Sequence, residues 1–116
     1  MPENPYRPMT PELASRRAEL APEPHRAFEE LGRAVFADGA LPTKTKQLIA
    51  VAAAHVTQCP TCIDGHTKLA RRAGASPEEI MEAIWVAIEM RAGAAYAHSA
   101  IAMHALAETS PSGDDG

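Results

Sequence analysis

Pro60, set in the run QLIAVAAAHVTQCPTCIDGH (47–66), constrains this chain more than any other residue, because it dictates where one helix ends and the next begins. Proline has no backbone N–H and is tolerated in a helix chiefly in the first turn. A helix is therefore predicted to start at 60, with Cys59 as its N-cap and Cys62 in its first turn. Unpaired backbone N–H groups and the positive end of the helix dipole favour a thiolate there, so Cys62 is expected to be the more readily ionised thiol. His66 lies one turn further on and can take a proton from that sulfur or, as imidazolium, stabilise its anion. His55 lies four residues before Cys59, and on helical spacing His55, Cys59, Cys62 and His66 could share one face.

Three plainer roles compete with redox chemistry. Two cysteines in an alanine-rich helical chain can serve as small buried hydrophobes. His-x3-Cys-x2-Cys-x3-His also supplies four acceptable zinc ligands, but eleven residues of helix span about 16 Å and zinc needs its ligands at roughly 2.0–2.3 Å. No metal is expected. A purely structural disulfide across three residues closes so small a loop that it removes little chain entropy. Both thiols together with a reachable His66 favour a dithiol/disulfide couple.

The rest of the chain reads as helical scaffold. Thr10-Pro11-Glu12 is a helix start running toward Leu20, and a second helix is predicted from Pro24 to Ala37, where Phe28, Leu31 and Val35 recur at helical spacing before Asp38-Gly39. Thr43 is predicted to cap a helix from Lys44 to Thr57, whose Leu48, Ile49, Val51, Ala52 and Val56 extend most of the way round and imply burial. The cysteine helix should reach Arg72, with Gly74 as a left-handed terminator. Ser76-Pro77-Glu78-Glu79 combines an N-cap, a first-turn proline and a capping box. Ile80, Ile84, Trp85 and Ile88 are the expected core face of that helix. Gly93 is expected to kink or end it before a last helix carrying Tyr96, Ile101, Met103 and Leu106.

The sum is an all-α, compact bundle of five or six helices. The expected layout is an extended arm over 1–9, one helical domain over 10–108 and a disordered tail over 109–116. With 116 residues, 46% of them hydrophobic but only 4% aromatic, the core is small, and an oligomer would add a second apolar interface. A net charge of −4 gives no hint of nucleic-acid binding. No run approaches the roughly 20 apolar residues of a membrane span, and a cytoplasmic protein is expected. There Cys-x-x-Cys is more often catalytic or metal-binding than a permanent crosslink. Glycine-rich phosphate loops and nucleophilic-serine motifs are absent from the sequence. His25, His98 and His104 have no cysteine at ligand spacing and are expected in surface or satisfied-core roles. Lys68, Arg71 and Arg72 read as a solvated helix end.

The run from Gln47 through Cys59-Pro-Thr-Cys62-Ile-Asp-Gly-His66 and on into KLARRAGASPEEIMEAI resembles the carboxymuconolactone decarboxylase and alkylhydroperoxidase (AhpD-like) family, over roughly residues 44–106. Peroxidases of that family carry Glu-x11-Cys-x-x-Cys-x-x-x-His. The resemblance implies Cys62 as the peroxidatic thiol, Cys59 as the resolving thiol and His66 as the proton-transfer group. It also implies a hydroperoxide substrate, a thioredoxin-like or lipoyl dithiol as reductant, no cofactor, and a homo-oligomer, trimer or hexamer. The family glutamate falls on Gln47, whose amide can hold a thiol or water by hydrogen bonds but cannot accept a proton at neutral pH. If helix 44–57 packs antiparallel to the cysteine helix, Gln47 and His66 become near neighbours and Gln47 can orient His66. His55 is a possible auxiliary in proton transfer. Two other functions stay open: a lactone decarboxylase using His66 without cysteine chemistry, and a non-enzymatic thiol switch or oligomeric scaffold.

Overall fold

The computed structural model describes residues 7–109 and 111, and all of their regular structure is helical. Five helices follow in order: α1 (Pro11–Leu20), α2 (Pro22–Phe36), α3 (Thr43–Thr57), α4 (Pro60–Arg72) and α5 (Pro77–Glu108). Of the expected arm only residues 7–9 are described, and of the expected tail only Thr109 and Pro111; the rest of both lies outside the described residues. Inside the expected 10–108 domain the chain groups into two compact units, which divide after Ala37.

The first unit is the α1–α2 pair. Thr10 caps α1 by accepting a hydrogen bond from the Leu13 backbone N–H at 3.2 Å. Pro22 opens α2, two residues earlier than expected, because a proline is as acceptable in the first turn as Pro24 is. Phe28, Leu31 and Val35 line one side of α2 and are exposed.

In the second unit α3 packs against both α4 and α5, while α4 and α5 touch only briefly. The centre is Val51, Ala70, Ala75 and Ile80, with Leu48 and Ile84 against it and Ala54 and Ala87 also buried. Four of the six buried apolar residues are alanines, so the helices approach closely and each contact removes little surface from water.

An ion pair and a hydrogen bond fix the register of α3 on α5. Lys44 Nζ lies 2.9 Å from Glu79 Oε2 near the two helix starts, and Arg91 Nη1 donates to the Val56 carbonyl at 2.8 Å near the end of α3. Each pair is separated by the same 35 positions, so α3 and α5 run parallel and in step. The tight turn at 58–59 sends α4 back antiparallel to α3. Gly74, at φ +97°, ends α4 as expected, and the Ser76–Glu79 capping box starts α5 with both reciprocal bonds present.

Four expectations are corrected. Thr43 is the first residue of α3 and Pro42 occupies the cap position; the Thr43 N–H and hydroxyl both donate to Asp38 Oδ1, at 2.7 and 3.0 Å, so a carboxylate five residues earlier does the capping. α3 buries one face only, and Ile49 and Val56 are exposed. Gly93 neither kinks nor ends α5, which is one helix to Glu108, because an interior glycine costs only about 1 kcal/mol and its neighbours are mostly good helix formers. On α5 the core face is Ile80, Ile84 and Ala87, while Trp85 is 59% exposed and Ile88 is also exposed.

Candidate functional site

The site is built where α3 ends and α4 begins. Gln58 adopts a left-handed conformation, φ 56°, which turns the chain out of α3. The Ala54 carbonyl accepts from the Cys59 backbone N–H at 3.1 Å, and the Gln58 side-chain amide donates to the His55 carbonyl. The Arg91 guanidinium on the Val56 carbonyl satisfies another acceptor of that last turn from across the unit. Nothing in the local spacing marks Arg91, since its contact comes from the register of α5 on α3. With its carbonyls held in this way, the turn delivers Cys59 to the N-cap of α4 in extended conformation.

Cys59 and Cys62 are joined by a disulfide, with Cα atoms 5.2 Å apart. Cys59 Sγ also accepts a hydrogen bond from the Cys62 backbone N–H at 3.2 Å, so the sulfur performs the capping that an Asp or Ser oxygen does elsewhere. Cys62 is exposed and Cys59 half-buried. On reduction, both sulfurs would sit in the positive field at the start of α4.

His66 shares a face of α4 with Cys62, one turn away. Its Nδ1 lies 2.8 Å from Gln47 Oε1 on α3. The amide oxygen only accepts, so the ring donates its Nδ1–H and carries its lone pair on Nε2. Gln47 is 5% exposed and is the buried polar residue of the described core. The antiparallel packing of α3 and α4 thus brings together Gln47 and His66, as the sequence predicts. His55 bonds within its own helix: half-buried on α3, its Nδ1–H donates to the Val51 carbonyl at 2.7 Å. The left-handed Gln58 breaks the run, so His55 and the two cysteines do not share one continuous helix. Among the described residues no three His, Cys, Asp or Glu side chains converge as a metal site. On α4, Lys68 pairs with Asp64 at 2.9 Å, and Arg71 donates to the Ala75 carbonyl at 3.0 Å.

The described residues define an all-helical protein with a Cys-x-x-Cys disulfide at a helix N-terminus and a part-buried amide–imidazole pair, Gln47 and His66. The profile of the carboxymuconolactone decarboxylase family matches residues 22–105, and the chain belongs to that family. A Paracoccus denitrificans protein called uncharacterized protein 4 in cox locus is 70% identical over 82 residues, 71% of this chain and 74% of that one. A family protein from Legionella pneumophila, solved in its apo form, superposes with a TM-score of 0.63 at 42% identity, covering 68% of this chain and 70% of the other. A Thermotoga maritima family protein with a suggested part in antioxidative response gives a TM-score of 0.52 at 30% identity, covering 69% and 92%. No described helix is long and apolar enough to cross a membrane.

Proposed function

We propose that the protein is a dithiol peroxidase of the AhpD-like type, reducing hydroperoxides through Cys59 and Cys62. The observation that carries this reading is the Cys59–Cys62 disulfide at the α4 N-terminus, with His66 on the same helix and anchored by Gln47. In the first step the Cys62 thiolate attacks the distal oxygen of ROOH; the O–O bond breaks, the sulfur becomes a sulfenic acid, and the departing alkoxide takes a proton to leave as ROH. His66 Nε2 is the atom suited to take the thiol proton and pass it on. In the second step the Cys59 thiol condenses with the sulfenic acid, releasing water and forming the disulfide. A thioredoxin-like or lipoyl dithiol then reduces that disulfide and is itself oxidised. The suggested antioxidative part of the Thermotoga maritima relative supports the same assignment. Lactone decarboxylation would use His66 alone and leave the cysteine pair without a task.

The test is a thiol titration of the reduced protein before and after one equivalent of hydroperoxide, followed by turnover with excess dithiol. Loss of two thiols per chain with one ROH formed per chain is expected. Two thiols remaining after peroxide would overturn the proposal.

A further inference from the structure

Pro60 leaves the end of α3 short of backbone donors. In a helix that ran on, the Val56 carbonyl would accept from the N–H of residue 60, and proline has none. The His55 carbonyl would accept from Cys59, but with Gln58 left-handed the Cys59 N–H goes to the Ala54 carbonyl instead, at 3.1 Å. Two side chains supply the missing donors. The Gln58 amide donates to the His55 carbonyl from within the turn, and Arg91 Nη1 donates to the Val56 carbonyl at 2.8 Å from α5, 35 positions away. Arg91 makes no ion pair among the described residues, and its charge lies at the C-terminal end of α3, where the helix dipole favours a cation.

We propose that Arg91 is a positioning residue for the Cys59–Cys62 couple: acting through the Val56 carbonyl, it holds the turn 56–59 in the shape that keeps Cys59 against Cys62. The disulfide needs that shape more than the dithiol does. While the sulfurs are bonded, Cys59 must stay extended at the N-cap of α4, where its Sγ also accepts from the Cys62 N–H at 3.2 Å. Once the S–S bond is reduced to two S–H groups, the turn is free to relax. A donor that fixes the turn in advance raises the effective concentration of one sulfur at the other, and so favours the disulfide. Bonds to an ionised donor are roughly twice as strong as neutral ones, which makes Arg91 the stronger of the two side-chain props.

Arg91 acts at this end of α3 alone. Val51, Ile80 and Ile84, with the Lys44–Glu79 pair, hold α3 on α5 from its middle to its start, so the helix packing survives without Arg91. The role assigned to Arg91 rests on the reading of Cys59 and Cys62 as a working dithiol/disulfide couple, and not on the oxidant they meet. It places control of that couple on a third helix.

The experiment equilibrates the full-length wild type, Arg91→Met and Arg91→Lys with a series of reduced and oxidised dithiothreitol buffers at neutral pH, and counts free thiols by mass after alkylation. Two electrons and two protons pass to the protein disulfide as dithiothreitol closes to its cyclic disulfide. Arg91→Met is expected to move the equilibrium toward the dithiol by roughly tenfold, the size expected for one bond to a charged donor, which is about 30 mV for a two-electron couple. Arg91→Lys keeps a charged donor and should recover most of that shift. A brace that merely joined α3 to α5 would stabilise the oxidised and reduced forms equally, so its loss would lower both urea midpoints and leave the potential in place. An unchanged potential in Arg91→Met therefore overturns the proposal, whatever the stability of the variant. A shift toward the disulfide overturns it too, since the guanidinium would then act on the thiolates by its charge and not through Val56. Should Arg91→Met not fold, Arg91→Gln takes its place, with a side chain too short to reach the carbonyl and the same two overturning outcomes. No peroxide is present, so a wild type that exchanges with dithiothreitol yet leaves hydroperoxide intact sinks the peroxidase reading without touching the role of Arg91.

Discussion

His66 Nδ1 and Gln47 Oε1 meet at 2.8 Å across the α3–α4 packing, nineteen positions apart in the chain. The amide fixes the ring orientation and tautomer but cannot take the proton that a carboxylate in its place would share. Gln47→Glu therefore should raise peroxidase turnover, by about 10²-fold, the lower end of what a positioned acid or base contributes. The buried carboxylate would need His66 as imidazolium to offset its desolvation. Steady-state rates with an organic hydroperoxide check this. An intact Gln47→Glu variant with unchanged or lower turnover would exclude position 47 from proton transfer and leave His55 as the next residue to test.

The cysteines should be separable by substitution. Cys62→Ser is expected to abolish peroxide consumption, whereas Cys59→Ser should consume one equivalent and stop as a sulfenic acid, detectable by dimedone labelling. In the reduced wild type, Cys62 should alkylate faster than Cys59 near pH 7, being exposed, inside the first turn of α4 and one turn from His66. Faster alkylation of Cys59 would reverse the two roles.

How much of the fold and site is legible in the sequence follows from whether the signal is local. The starts of α1, α4 and α5 are written in short runs, Thr10-Pro11, Cys59-Pro60 and Ser76-Pro77, because capping involves residues within one turn. The Gln47–His66 neighbourhood follows from helix rise and one assumed antiparallel pairing. Arg91 on the Val56 carbonyl and Asp38 at the head of α3 are not legible: the first depends on the register of two helices, and the second on a loop whose path only the fold sets. Gly93 misleads because a helix-breaking preference of about 1 kcal/mol is small beside the continuity of an alanine-rich helix.

Two glycines should respond oppositely to alanine. Gly74 sits at φ +97° with no atom within 4 Å of the place a Cβ would occupy, so Gly74→Ala costs backbone strain alone, about 1–2 kcal/mol. Gly65 lies inside α4 with equally open space, and Gly65→Ala should stabilise by about 0.5–1 kcal/mol through helix propensity. Urea denaturation measures both. Equal signs for the two would contradict the assigned backbone conformations.

Acid should act on two helix starts. The Glu79 carboxyl is held below its ordinary range first by the Ser76 backbone N–H and then by Lys44, and Asp38 first by the Thr43 backbone N–H and then by the Thr43 hydroxyl. For a carboxyl depressed in the folded state, the unfolded chain binds more protons at acid pH, so the contribution is complete above the unfolded pKa and is lost as pH falls through the folded one. The loss should begin near pH 4, where free carboxylates start to protonate. Asp38 sits at the head of α3 and Glu79 at that of α5, and Lys44 ties the two helices together through Glu79. Acid should thus weaken the α3–α5 end of the second unit first. The double variant Asp38→Asn with Glu79→Gln should be less stable at pH 7 and should show a flatter dependence of its urea midpoint on pH below about 4. Ser76→Ala, which removes the hydroxyl half of the capping box, should cost about 1 kcal/mol at neutral pH and leave the carboxylate's backbone bond in place. If the double variant follows the same pH slope as the wild type, the acid sensitivity originates in other carboxylates and the two caps do not govern it.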